Sequence, residues 1–121
     1  MNFLGAEFKG DVREVPTKAL AYIGDAVFEL FCRTEFSFNN SKVREVVNAK
    51  AQAKCFDEIE KLLNSDERAI AMRGRNLKTY RSREPFYRKA TALESIIGYL
   101  FLLGMEERLT KLLRNCVERF K

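Results

Sequence analysis

The stretch ATALESIIGYLFLLGM, residues 90–105, decides the fold. It carries one charge, Glu94, in sixteen positions, which predicts a helix that is central and buried rather than one lying on a surface. The pattern extends upstream to Phe86, behind Pro85 at a helix start, and stops at Gly104, a natural helix end. A second stretch, ALAYIGDAVF at residues 19–28, has the same character and again a single charge, Asp25. It belongs to a helix from Thr17 in which Leu20, Ile23, Val27, Leu30 and Phe31 recur at helical spacing. Ser37, Phe38, Asn39 and Asn40 read as the turn that ends it.

Outward from these two helices the remaining pattern is also helical. One region runs from Ser41 to about Leu63, with a bend or break near Asn48. Asn64 followed by Ser65, Asp66 and Glu67 is a cap with first-turn acids, starting a helix that runs to about Arg73. Gly74 then opens a basic loop to Pro85, and Met105 to Phe120 is a last amphipathic helix. Strand alternation and internal repeats are absent, so the expected fold is all-α, a single domain over residues 1–121.

Composition removes several chemistries. The 121 residues include no histidine, which excludes Ser-His and Cys-His nucleophilic sites and most zinc centres. Cys32, Cys55 and Cys116 are odd in number, far apart and set among apolar helical residues, as core thiols are. No apolar run reaches the ~18 residues that span a bilayer, and the N-terminus lacks a signal-peptide core, so a cytoplasmic protein is expected. The net charge of +5 is localised. Arg73, Arg75, Lys78, Arg81, Arg83, Arg88 and Lys89, against Glu84 alone, give residues 73–89 a charge of +6, and the other 104 residues sum to −1. One basic segment on a near-neutral chain is the footprint of a polyanion partner. Its plain alternative is a solvated loop.

Acids are among the residues least often fully buried, yet each of the two most apolar helices carries one. Gly24 beside Asp25 and Gly98 one turn after Glu94 remove side-chain bulk, so the helices can approach closely and the carboxylates can share one hard cation. Mg²⁺ takes one or two protein carboxylates and completes its shell with water and phosphate oxygens, which suits a site without histidine. The alternative is that each acid meets an arginine or a helix cap. In the basic segment, guanidinium groups suit bidentate phosphate contacts, and Asn76 can bond a 2′-hydroxyl or a base edge.

These strings resemble a known family. YIGDAVFE, residues 22–29, is similar to the signature helix of the ribonuclease III catalytic domain, and ALESIIG, residues 92–98, to its second acidic motif. The segments NAKAQA (48–53) and RGRN (73–76), with no double-stranded-RNA-binding domain, resemble the Mini-ribonuclease III branch, which consists of the catalytic domain alone. The resemblance covers about residues 15–113. It implies a homodimeric, Mg²⁺-dependent endoribonuclease (Mn²⁺ substituting) that cuts double-stranded RNA, leaving 5′-phosphate and 3′-hydroxyl ends. The implied substrate is the large-subunit (23S-type) ribosomal RNA precursor, with a ribosomal protein as an accessory partner.

On that resemblance Asp25 and Glu94 are the catalytic, metal-binding acids. Arg73, Arg75, Asn76, Lys78, Arg81, Arg83 and Arg88, in a loop at about 73–85 and just beyond, are the RNA-contacting set. Glu29 and Thr91 are candidates for supporting positions beside the acids, and Tyr22 for the dimer interface. The full-length family uses four acids; Ala21 and Thr91 stand in the other two places, a departure the Mini branch shares. The competing reading is a non-catalytic RNA-binding or ribosome-associated scaffold of the same fold, or a helical interaction module docking its basic loop on an acidic partner.

Overall fold

A computed structural model describes residues 8–79 and 83–121. Among the described residues there are six α-helices and no strand: α1 (Thr17–Glu35), α2 (Asn40–Val46), α3 (Ala49–Ile59), α4 (Ser65–Arg75), α5 (Pro85–Leu103) and α6 (Glu106–Val117). Single 3₁₀ turns at Val12–Glu14, Glu60–Leu62 and Glu118–Phe120 join or end them. The all-α expectation holds.

Local chemistry sets most boundaries. Asn39, Asn48 and Asn64 each present a side-chain oxygen to a backbone N–H three residues on, starting α2, α3 and α4. Asn48 is therefore the expected break in the 41–63 region. Its Oδ1 accepts from Ala51 N at 2.9 Å while its amide nitrogen donates back to the Arg44 and Glu45 carbonyls, pinning the α2–α3 corner. Asn64 and Glu67 form a reciprocal capping box. Gly104, at φ 73°, closes α5 in the left-handed conformation that favours glycine.

Helix α5 is the axis of the fold, packed by α1, α3, α4 and α6. Seven successive residues, Ser95 to Phe101, are buried, so the helix has no solvent face there. Its crossing with α1 is main chain on main chain. A Cβ on Gly24 would overlap the Glu94 carbonyl, and one on Gly98 would overlap the Leu20 carbonyl.

One boundary differs from the expectation. Gly74 does not open the loop; it lies inside α4, which runs on to Arg75. The reason is packing: a Cβ at Gly74 would stand 2.9 Å from both Ala92 Cα and the Thr91 carbonyl. The ~1 kcal/mol that glycine costs a helix is the condition for α4 to touch α5. The three cysteines are buried and free, and burial pushes the Cys32 thiol up to about 12, leaving it un-ionised and inert as a nucleophile. No helix among the described residues is long and apolar enough to cross a membrane.

Candidate metal and nucleic-acid site

The glycine crossing places Asp25 of α1 beside Glu94 of α5, with their carboxyl groups hydrogen-bonded to each other. Two acids in contact cannot both ionise cheaply. Burial of Glu94 first, then the hydrogen bond and the charge of Asp25, raise the Glu94 carboxyl from 4.5 to about 8. Without a cation the Glu94 carboxyl therefore tends to keep its proton at neutral pH, a proton that a divalent ion would displace. Gln52 of α3, itself 5% exposed, hydrogen-bonds the Glu94 carboxylate and acts in the opposite direction, favouring the charged form.

This donor set fits a hard cation. It offers carboxylate oxygens from two rigid helices and no nitrogen or sulfur ligand, the chemistry of Mg²⁺ or Mn²⁺ sites that complete their shell with water and phosphate. Among the described residues no group of three or more His, Cys, Asp or Glu could hold a metal, so two acids are all that the described protein supplies.

The acids open into a cleft of about 630 Å³ whose walls bring Lys18, Tyr22, Lys78, Arg88 and Thr91 to the same space. Of the residues expected to contact RNA, Lys78 and Arg88 thus stand over the acids. Asn76 ends α4 and is exposed, and Arg83 is also exposed. Arg75 pairs with Glu60 at 3.6 Å on the surface. Arg81 lies outside the described residues. Arg73 turns inward: its Nε donates to Thr17 Oγ1 at 3.1 Å, and its two Nη atoms donate to the carbonyls of Val15 at 2.9 Å and Arg13 at 3.4 Å. It thereby ties the start of the basic segment to the start of the helix that carries Asp25.

Thr91 lines the cleft and donates its hydroxyl to the Tyr87 carbonyl at 2.9 Å. Glu29, one turn beyond Asp25, is exposed and pairs with Arg33 at 3.7 Å. Tyr22 is 65% exposed on the outer side of α1. Gln52 and Lys18 are among the cleft residues that escaped the sequence reading. Gln52 left a faint signal, a polar residue framed by Ala51 and Ala53 on an otherwise apolar face; Lys18, a first-turn lysine, left none.

Known proteins resemble this chain over most of its length. Residues 18–105 match the ribonuclease III domain. The Mini-ribonuclease 3 of Clostridium tetani is 38% identical, the match covering 98% of this chain and 88% of that one. A Mini-ribonuclease 3-like protein of Fusobacterium nucleatum is 36% identical over 93% of this chain and 95% of its own. A crystal structure of a protein from Fusobacterium nucleatum superposes with a TM-score of 0.79 at 35% identity, covering 92% of this chain and 98% of that one. The chain therefore belongs to the ribonuclease III family, alongside the Mini-ribonuclease 3 proteins.

Proposed function

We propose that this protein is an endoribonuclease that cuts double-stranded RNA with the help of a divalent cation, Mg²⁺ or Mn²⁺, held by Asp25 and Glu94. One observation carries the reading: among the described residues, two acids meet with no basic side chain paired to them, on the wall of a cleft that also holds Lys18, Lys78 and Arg88. A pair kept for structure alone would be expected to have an arginine between its members. Family membership supports the substrate class.

In this reading Lys78 and Arg88 bind the phosphates flanking the scissile bond, helped by Arg75, Asn76, Arg81 and Arg83 along the basic segment. Arg73, committed to the carbonyls ahead of α1, anchors that segment from beneath. Asp25 and Glu94 would hold the cation beside the reacting phosphate. When bound, the cation would supply charge neutralisation at the phosphate oxygens and a more acidic water; the products proposed from the family resemblance carry 5′-phosphate and 3′-hydroxyl ends. Two copies are proposed to act on one duplex, each cutting one strand. Tyr22, Ala26 and Leu30, exposed and one turn apart on the outer side of α1, form a stripe suited to a second copy. Maturation of the large-subunit ribosomal RNA precursor, with a ribosomal protein assisting, is the biological setting proposed from the family resemblance.

The test is cleavage of end-labelled duplex RNA by the purified protein with Mg²⁺ and with EDTA. Magnesium-dependent staggered cuts that vanish in Asp25→Asn support the proposal. RNA binding without cutting in any divalent ion would instead make the protein a scaffold.

A further inference from the structure

Gln52 is the third side chain at the acid pair, and it is neither an acid nor a cation. It sits on the fourth residue of α3, 5% exposed, between the buried small residues Ala51 and Ala53, which let α3 lie close to α5. Its rotational phase is set by Asn48. That residue caps α3, receives Gln52 N on its backbone carbonyl at 2.9 Å, and is bonded through its own amide to the Arg44 and Glu45 carbonyls. The corner that starts the helix therefore also aims the amide. The Gln52 side chain lines the same cleft as Asp25 and Glu94, and its amide interacts with the Glu94 carboxylate.

The choice of an amide has a physical reason. A lysine or arginine here would neutralise Glu94 permanently, as Arg108 does for Glu67 elsewhere in the fold, and would compete with any incoming ion. A third carboxylate would add repulsion where two acids already face each other. An amide N–H fixes the direction of a carboxylate without cancelling its charge, leaving the second oxygen free for a ligand. The held carboxylate loses its alternative rotamers, and with them the entropy a metal would otherwise have to remove.

We infer that Gln52 is a positioning residue of this site: its amide N–H holds the Glu94 carboxylate toward Asp25, so that the two acids are pre-arranged for one divalent cation. This rests on the reading of Asp25 and Glu94 as the cation's ligands. Partners that orient a ligating carboxylate typically contribute ~10–100-fold to metal affinity.

Mn²⁺ binding by isothermal titration, with no RNA present, tests the inference in the wild type and in Gln52→Met, Gln52→Asn and Asp25→Asn, each first shown to be folded by circular dichroism. Gln52→Met keeps the volume and removes the donor; Gln52→Asn keeps an amide one methylene short of Glu94 and serves if the first fails to fold. The expected result is a loss of Mn²⁺ affinity of about 10-fold or more in the Gln52 variants. Duplex-RNA affinity in EDTA should be unchanged, and the slowed cleavage should recover as Mg²⁺ is raised, which general damage to the fold would not allow. Wild-type Mn²⁺ affinity in a folded Gln52 variant, with binding lost in Asp25→Asn, overturns the role of Gln52 alone. Wild-type affinity in Asp25→Asn as well overturns the ligand assignment and this inference with it.

Discussion

Glu67 and Glu94 are two glutamates set into the same helical domain, and they are treated in opposite ways. Glu67, 1% exposed, receives Arg108 Nε at 2.9 Å and Nη2 at 2.7 Å, and also caps Asn64 N at 3.0 Å. The Arg108 guanidinium holds its carboxyl below the usual range. Glu94 faces an acid, and its carboxyl is pushed up to about 8. Both are withdrawn from solvent, Glu67 fully and Glu94 in part; the group opposite differs. A buried glutamate answered by an arginine is finished and serves the fold. One answered by aspartate and an amide is left open to a charge from outside the chain.

The largest expected effect tests whether Glu94 belongs to function rather than fold. Glu94→Gln or Asp25→Asn should lower duplex-RNA cleavage in Mg²⁺ by at least about 10²–10³-fold, in line with losing one preorganised charge contact at a reacting centre. The unfolding midpoint should stay the same or rise; near-wild-type cleavage by either variant would break the contrast. Glu67→Gln should do the reverse. It strands Arg108, and urea unfolding should show a loss of about 2–3 kcal/mol, under the ~3–5 of a fully buried pair because Arg108 is 21% exposed. Its metal-dependent cleavage, measured where it is still folded, should persist.

The two glutamates should also give metal-free stability opposite slopes with pH. The folded-state value of Glu94 is raised, so its contribution is complete below about 4.5 and is lost as pH rises through about 8. That of Glu67 is lowered, so its contribution is present above about 4.5 and is lost as pH falls further. Thermal unfolding in EDTA across pH 3–9 reads both: Glu94→Gln should flatten the alkaline limb and Glu67→Gln the acid limb. The smallest effect is at the rim. Lys78→Gln should weaken duplex-RNA binding and reduce the slope of log affinity against log salt by about 1, and an unchanged slope would remove Lys78 from the interface.

Sequence reading reached what is written locally or in gross polarity. The central helix followed from its apolar run, and the breaks at Asn48 and Asn64 from cap chemistry that acts within three residues. The approach of Asp25 to Glu94 was expected from Gly24 and Gly98, whose small size has one obvious use in two apolar helices. What stayed hidden depends on partners far along the chain. Gly74 reads as a breaker until Ala92 and Thr91 are seen against it. Arg73 reads as one more phosphate ligand until Thr17 and the Val15 carbonyl claim it. Gln52 reads as a polar interruption of a core face, because its hydrogen-bond partner lies two helices away.

The glycine crossing of α1 and α5 has a consequence for how this protein can vary. With no side chain between the helices at that point, the bite of the acid pair is inherited from two main chains. Exchanging leucine for valine elsewhere in the core alters stability without widening or narrowing that bite. On the proposed reading the site is a chelator with a fixed jaw, whose tolerance for ionic radius is set by backbone geometry and can be retuned only by moving a helix.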